Sequence, residues 1–234
     1  MKYLGSKNRI SKQLKPIIEK ELHGKELYIE PFVGGANMID KIDFDNKIGS
    51  DINEYLIELL KKVRDNVEDL PTNIPEELYI KVKDNKDSYS KWYVGCIGFC
   101  ATFGAKWFGG YARDRKTGRD VTRESVNNLI KQAPQLKGID FRHGGYEQYK
   151  DVKNAVIYCD IPYQGTTKYK DTFDHEKFFN FIKGLDKSNT ILVSEYNIND
   201  ECFEQIWEKE VKVNIDKKNI TTKREKLYKL KGYK

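Results

Sequence analysis

Residues 27–35 read Leu-Tyr-Ile-Glu-Pro-Phe-Val-Gly-Gly, a short apolar run that ends abruptly in an acid, a proline and two glycines. The run predicts a buried strand that ends in a glycine turn, where the backbone can approach a ligand closely and adopt positive φ. A helix is predicted next over 36–41, then a strand over 47–50 that ends at Asp51, and a helix over 56–63. This order predicts the start of a doubly wound α/β sheet, which binds ligands at the carboxyl ends of its strands.

The rest of the chain continues the α/β pattern on both sides of an interruption. Apolar spacing predicts further helices at 9–22, 75–83, 88–103, 122–132 and 178–185, and further strands at 139–141, 155–159, 190–194, 210–215 and 226–230. Within the interruption, a turn at 116–118 predicts a basic hairpin over 111–121. We therefore expect a mixed sheet, formed by a core of residues 1–62 and 138–234, with a helical and hairpin insert at 63–137.

The positive charge of the chain is concentrated in two segments. The 234 residues include 42 Lys and Arg and 36 Asp and Glu, a formal net charge of +6. Residues 106–123 hold six Lys or Arg against two Asp, and residues 217–234 hold eight Lys or Arg against Glu225 alone. Basic segments interleaved with aromatic residues and threonine suit a nucleic-acid backbone, although a solvated face or a lysine-rich tail gives the same pattern.

Composition argues against several classes of protein. The longest stretch without a formal charge, residues 92–105, is shorter than the roughly 20 residues that a membrane span needs. We expect no signal peptide, because charged residues occur from Lys2 onward. Four cysteines without a CxxC pair are typical of a reduced, cytoplasmic protein, and three isolated histidines argue against a metal site.

The second segment that carries chemistry is Asp160-Ile161-Pro162-Tyr163, which follows the predicted strand 155–159. A carboxylate, a constrained turn and an aromatic ring at the end of a buried strand can hold a planar amine. The carboxylate accepts one N–H, a backbone carbonyl accepts the other, and the ring stacks on the base. Two acceptors draw the nitrogen of such an amine towards tetrahedral geometry. Its delocalised lone pair is then free for attack. A loop aspartate beside a packed tyrosine is the structural alternative.

Four segments together resemble the Dam-like DNA adenine-N6 methyltransferases. They are Tyr3-Leu4-Gly5-Ser6-Lys7, the turn at 30–35, the tetrapeptide at 160–163 and Ser194-Glu195-Tyr196, in the family's order and across essentially the whole chain. Residues 103–113 also look like the family's recognition segment. The resemblance implies a Rossmann-like methyltransferase core and S-adenosylmethionine as the methyl donor.

The resemblance also implies a role for each matching residue. Tyr3 and Lys7 would line the methionine end of the cofactor, and Asp51 would hold its ribose. Glu30, Phe32 and Gly34 would form its binding turn, and Asp160 would lie at both the cofactor and the substrate. Asp160, the Ile161 carbonyl, Pro162 and Tyr163 would hold the target adenine. No metal is implied.

The implied partner is double-stranded DNA, bound by a monomer or weak dimer in the cytoplasm of a bacterial or phage-infected cell. The target amine is buried in the duplex, so the base must be flipped into the site. The basic hairpin and the helix over 122–132 would contact phosphates and base edges. The candidate DNA contacts are Arg113, Arg115, Lys116, Arg119 and Arg123.

Two positions depart from the family pattern. Ile161 stands where the family has proline, and residues 143–146 read His-Gly-Gly-Tyr where an aspartate usually contacts the cofactor adenine. The adenine contact is therefore left unassigned. Two alternatives stay open: a methyltransferase acting on RNA adenine or glutamine, whose tetrapeptide usually begins with asparagine, and a catalytically silent DNA-binding or decoy relative.

Overall fold

A computed structural model of the chain describes residues 1–114, 117–163, 173–216 and 219–232, and gives the backbone alone at residues 105, 212–216 and 219–221. The strands are β1 (Leu27–Glu30), β2 (Lys47–Asp51), β3 (Ile139–His143), β4 (Ala155–Asp160), β5 (Thr190–Glu195), β6 (Phe203–Asp216) and β7 (Asn219–Leu230). The α-helices are α1 (Ser11–Glu21), α2 (Glu54–Asp65), α3 (Glu76–Asp84), α4 (Lys91–Cys100), α5 (Val121–Leu136) and α6 (His175–Lys183). Among the described residues, no helix combines the length and the apolar character that a membrane crossing needs.

The strands form one mixed sheet in the order β3-β2-β1-β4-β5-β7-β6. Strand β4 lies parallel to β1 and β5, and β7 runs antiparallel to both β5 and β6. The strand order reverses between β1 and β4, which makes this pair the topological switch point where open α/β sheets bind ligands. The doubly wound sheet predicted from the sequence, with its two antiparallel closing strands, is confirmed.

The chain divides into two compact units. The first comprises Met1–Ile17 and Val33–Gly145, and the second comprises Ile18–Phe32 and Tyr146–Lys234. The first unit therefore carries β2, β3 and helices α2 to α5, and the second carries β1, β4 to β7 and α6. This division does not test the insert boundaries predicted at 63 and 137, which remain a prediction.

The first unit is held together by apolar helices and an aromatic cluster. Residues 94–100 of α4 are all buried, and a Cβ added at Gly95 would collide with the Tyr55 carbonyl of α2. Glycine at this position lets α2 and α4 approach closely. The Trp107 ring packs between Phe99 and Tyr55, at centroid distances of 4.8 and 5.2 Å.

The second unit has a core of parallel strands covered on both faces. Residues 155–159 of β4 are buried without alternation, as expected of such strands. Two tyrosines that are almost fully buried satisfy their hydroxyl groups internally: Tyr28 donates to Glu30 Oε1 at 2.7 Å, and the Tyr158 hydroxyl lies 2.8 Å from Ser194 Oγ. Buried polar atoms need such partners.

Two local predictions from the sequence were wrong in detail. In place of a helix over 36–41, the chain forms only a 3-10 turn at Ile39–Lys41. Gly34 and Ala36 adopt left-handed φ values of 48° and 55°, which prevent a regular helix from starting there.

The described residues of 111–121 form a capped loop rather than the predicted hairpin. Tyr111 makes one antiparallel bridge, to Thr102, and no strand occurs at 112–114 or 117–120. The Asp120 carboxylate accepts from the Arg123 amide at 2.9 Å and so begins α5 at Val121. An N-cap at this position commits the following residues to a helix and removes the second strand of the hairpin.

Candidate active site

The glycine turn of the first unit is built around close backbone contacts. The Gly34 amide donates to Asp51 Oδ2 at 3.3 Å, and the Val33 amide donates to the Ser50 carbonyl at 2.8 Å. A Cβ at Gly34 would lie 2.8 Å from Tyr3 Cε1, and the same residue has a φ of 48°. Both conditions demand glycine, so the turn is shaped for close approach at the carboxyl end of β2.

Asp51 is oriented by the backbone around it. Its Oδ1 accepts from the Asn53 amide at 2.9 Å, while Oδ2 accepts from Gly34. Burial raises the pKa of the Asp51 carboxyl, and the amide hydrogen bonds from Asn53 and Gly34 act in the opposite direction. Each carboxylate oxygen has a further acceptor position, so a fixed Asp51 can receive hydroxyl donors from a ribose.

The N-terminal segment places a buried cation in the same unit. The Lys7 side chain belongs to a residue that is only 7% exposed, in a 3-10 turn whose preceding Ser6 accepts from the Asn8 amide. The Tyr3 ring packs on Phe99 at a centroid distance of 5.7 Å. A buried ammonium group suits the carboxylate of an amino-acid moiety, because charges are stable inside proteins when they are paired.

In the second unit, the carboxyl end of β1 carries an acid and an aromatic ring. Glu30 is 3% exposed and accepts from the Tyr28 hydroxyl. Phe32 belongs to an aromatic cluster, with ring centroids 5.8 Å from Tyr146 and 5.7 Å from Phe178. The structure therefore gives Phe32 a packing role that supports the end of β1.

The tetrapeptide 160–163 lies at the carboxyl end of β4, which pairs with Ser194 of β5 at Asp160. Ile161 is 3% exposed, so its side chain belongs to the core. His175 Nε2 donates to the Pro162 carbonyl at 2.7 Å and anchors the turn to the start of α6. Nothing in the local sequence of His175 points to this contact, so no role could be predicted for it.

The Tyr163 ring is held on two sides. Its hydroxyl donates to Glu225 Oε2 at 2.5 Å, and its ring meets Tyr196 edge to face at a centroid distance of 4.4 Å. The Lys223 ammonium lies over the Tyr196 ring at 4.4 Å. Burial and the charges of Asp160 and Glu225 raise the pKa of Tyr163, so the phenol stays protonated and acts as a donor.

The Cys159 thiol, which precedes the tetrapeptide, is unreactive. Burial and the Asp160 charge raise the pKa of Cys159, which keeps it in the unreactive thiol form. Within the described ranges, no group of three or more His, Cys, Asp and Glu side chains could hold a metal. The groups around the tetrapeptide in the second unit include the Glu225 carboxylate, the Tyr163 and Tyr196 rings and the Lys223 ammonium.

The basic residues of the proposed DNA surface are partly paired. Arg113 forms a two-pronged ion pair with Glu76, and Arg119 forms another with Glu124 at 2.8 and 2.6 Å. Arg123 is exposed. Two further predicted contacts, Arg115 and Lys116, lie outside the described residues.

An aromatic side chain projects from the same segment. Phe103 is 73% exposed, yet its amide donates to the Gly110 carbonyl at 2.9 Å. Thr102 Oγ1 accepts from the Gly109 amide at 2.9 Å and holds the base of this loop. A large apolar side chain displayed on a hydrogen-bonded loop is a candidate contact for a partner.

Residues 143–146, which differ from the family pattern, contact the backbone at the end of β2. The His143 ring Nε2 lies 3.1 Å from the Ile52 carbonyl, and the Gly144 amide donates to the Asp51 carbonyl at 3.0 Å. The Ile52 side chain is 77% exposed beside them. These contacts support the end of β2 and leave the adenine contact of the cofactor unassigned.

Part of the chain matches a known protein family. Residues 3–96 match the family model of the D12 class N6 adenine-specific DNA methyltransferases. The matched range includes Tyr3, Lys7, the glycine turn and Asp51, and the resemblance inferred from the sequence is confirmed.

Two curated relatives are type II methyltransferases. The chain is 27% identical to M.MjaIII of Methanocaldococcus jannaschii over 97% of its own length and 93% of that protein. It is 22% identical to M.FokI of Planomicrobium okeanokoites over 73% of its length, but covers only 30% of that larger protein. Among solved structures, an rRNA methylase from Streptococcus thermophilus is 8% identical, with 95% of this chain and 96% of that one aligned at a TM-score of 0.38.

Proposed function

We propose that this chain transfers a methyl group from S-adenosylmethionine to N6 of an adenine flipped out of duplex DNA. The observation that carries the proposal is the tetrapeptide at the end of β4, where Asp160 precedes a half-buried, hydrogen-bonded Tyr163 ring. This arrangement supplies acceptors and a stacking face for a planar amine. The reaction class is a direct transfer that needs neither a metal nor a covalent enzyme intermediate.

The proposed chemistry assigns one task to each residue of the tetrapeptide. Asp160 accepts one N–H of the adenine amine, and the Ile161 carbonyl accepts the other. The Tyr163 ring stacks on the base and offsets part of the cost of unstacking it, which is a few kcal/mol. Holding the amine in line with the donor methyl lowers the barrier through positioning, the main contribution asked of this site.

The residues of the first unit suit S-adenosylmethionine, which supplies a methyl group on a sulfonium centre. Gly34 and Gly35 have no side chain that would crowd the turn. A Cβ added at Gly35 would lie 2.7 Å from Tyr3 Cβ. Asp51 would accept the ribose hydroxyls, and the buried Lys7 would meet the methionine carboxylate. In the second unit, the resemblance assigns Glu30 and Phe32, at the end of β1, to cofactor binding.

We further propose that residues 63–137 form the DNA target-recognition insert, with residues 1–62 and 138–234 as the catalytic core. Exposed ion pairs contribute little to stability, so Arg113 and Arg119 can exchange their glutamate partners for phosphates. Within the insert, the exposed Phe103 side chain would contact DNA bases. By analogy with the type II relatives, the chain would modify DNA in the cytoplasm as part of a restriction-modification system.

The proposed substrate class is tested by offering several polymers to one enzyme preparation. Labelled S-adenosylmethionine is incubated with duplex DNA, with RNA of the same sequence and with a glutamine-containing peptide. The proposal predicts label in the duplex DNA. Label found chiefly in the RNA or the peptide favours the alternative methyltransferase, and label in no polymer favours the silent DNA-binding relative.

One prediction concerns the Arg119–Glu124 ion pair. Arg119→Gln should weaken DNA binding and reduce the slope of log affinity against log salt by about one unit, because one phosphate contact is lost. Glu124→Gln should strengthen binding by freeing Arg119. Fluorescence anisotropy across a salt series measures both. Glu58→Gln, which makes the same charge change beside Lys61 on α2, serves as the control. Equal affinity for all four proteins would show that Arg119 does not contact DNA.

Another prediction concerns Ile161. The proposed acceptor is its backbone carbonyl, which every residue supplies, and Pro162 already biases Ile161 towards extended backbone. We expect Ile161→Pro to keep the methylation rate within about tenfold of wild type, which corresponds to 1.36 kcal/mol of barrier. Initial rates on one DNA substrate measure this. An inactive wild type that Ile161→Pro restores would instead show that the natural chain is a decoy.

A further inference from the structure

The closing strand β7 reaches the carboxyl ends of the catalytic strands. In the sheet, Asp160 of β4 pairs with Ser194 of β5, and Ser194 pairs with Leu227 of β7. The last β5–β7 pair joins Glu195 to Lys226, so Glu225 follows at the same end of the sheet as Tyr196. Strand register, rather than sequence proximity, therefore brings Glu225 to the tetrapeptide.

The contact that Glu225 makes is specific. Its Oε2 accepts from the Tyr163 hydroxyl at 2.5 Å, the length of a charge-assisted O–H···O bond. The hydroxyl is the atom of Tyr163 farthest from the backbone, so a partner there fixes the ring that the side-chain torsions would otherwise leave free. On the same side, Tyr196 packs edge-on against Tyr163, and Lys223 covers the Tyr196 ring.

Glu225 differs from its basic chain neighbours in the direction that its side chain takes. Arg224 points to Glu210 of β6 at 3.2 Å, and Lys226 Nζ lies 3.4 Å from Asn197 Oδ1. Glu225 lies between these two cations in the chain, and its carboxylate contacts the half-buried Tyr163 phenol. Successive side chains of a strand point to opposite faces, so Glu225 reaches the tetrapeptide while Arg224 and Lys226 contact other residues.

We propose that Glu225 is a positioning residue that holds the Tyr163 ring in the orientation required to stack on the target base. The inference rests on the proposed function, since it assigns Tyr163 to the flipped adenine. Glu225 acts through Tyr163 and touches neither the cofactor nor the reacting amine. The closing strand therefore contributes to base capture as well as completing the sheet.

The test compares three variants with wild type. Glu225→Ala and Tyr163→Phe each remove the hydrogen bond and are expected to lower the single-turnover methylation rate about tenfold or more. The double variant should be no worse than either single one, because both remove one contact. Glu225→Gln retains an acceptor and should recover most of the rate. S-adenosylmethionine affinity should be unchanged in all of them.

A spectroscopic measurement separates base capture from general damage. DNA that carries 2-aminopurine at the target position becomes more fluorescent when the base leaves the stack. This increase should be smaller with Glu225→Ala and Tyr163→Phe than with wild type. Glu210→Ala, which removes the exposed partner of Arg224 on the same hairpin, should behave like wild type in fluorescence and rate.

The outcomes distinguish this inference from the proposed function. If wild type methylates DNA while Tyr163→Phe keeps full rate and fluorescence, the role of Glu225 is refuted and the methyltransferase stands. Additive losses in the double variant would also refute it. If wild type transfers no methyl group to DNA, the proposed function itself fails. Should Glu225→Ala not fold, Tyr163→Phe still decides, because it removes the same bond and keeps the ring.

Discussion

Asp160→Ala is expected to lower the methyl-transfer rate by about 10² to 10³, the effect of deleting one oriented polar group at a reacting centre. In the proposed site, Asp160 is the side-chain acceptor at the end of β4, so its loss would leave the adenine amine with the Ile161 carbonyl alone. Binding of S-adenosylmethionine and DNA should largely remain, because other residues supply most of their contacts. Single-turnover kinetics at saturating cofactor and DNA measure the chemical step.

A matched substitution controls for the loss of a carboxylate. Asp140→Ala on β3 removes an exposed acid that is paired with Arg142, and it should leave the rate unchanged. Thermal unfolding of both variants shows whether either loses its fold. A folded Asp160→Ala protein that methylates within tenfold of wild type would contradict the assignment of Asp160 to the amine.

Gly34→Ala is expected to weaken S-adenosylmethionine binding by about tenfold to hundredfold. A residue with a side chain is strained at a φ of 48°, and such strain costs about 1–3 kcal/mol. The added Cβ would also lie 2.8 Å from Tyr3 Cε1, so the ring must move away from the turn. Isothermal titration calorimetry of the cofactor with DNA absent measures the loss directly.

Gly24→Ala separates a local effect on the turn from general strain. Gly24 has a φ of 74°, but a Cβ there would meet no atom within 4 Å. This variant should lose some thermal stability and keep its cofactor affinity. If both variants lose stability equally and both retain wild-type affinity, the turn at Gly34 does not bind the cofactor.

The strands could be predicted because the sequence signals them locally. β4 is a continuous apolar run, as a strand buried on both faces requires, and β1 is followed by a proline and two glycines. Such signals depend on neighbouring residues alone. The tetrapeptide at 160–163 was likewise recognisable, because its position immediately after a buried run places it at a ligand-binding edge.

Contacts between distant residues could not be predicted in this way. Tyr163 and Glu225 are 62 residues apart and meet only through the register of β7 against β5. The sequence did mark Glu225 as the single acid in a basic run, which in retrospect is an indication of a special role. The prediction of a hairpin over 111–121 failed for a different, local reason: the turn residues favoured a hairpin, whereas Asp120 caps a helix that begins at Val121.

We propose that the protein methylates the exocyclic amine of adenine in DNA, with that amine held by the tetrapeptide at 160–163. The most direct measurement is mass spectrometry of nucleosides from duplex DNA that was incubated with the protein and S-adenosylmethionine, with Asp160→Ala as the parallel sample. We expect N6-methyl-2′-deoxyadenosine in the wild-type sample and little or none in the variant. A methyl group found on cytosine instead, or equal amounts of methylated adenine in the two samples, would contradict it.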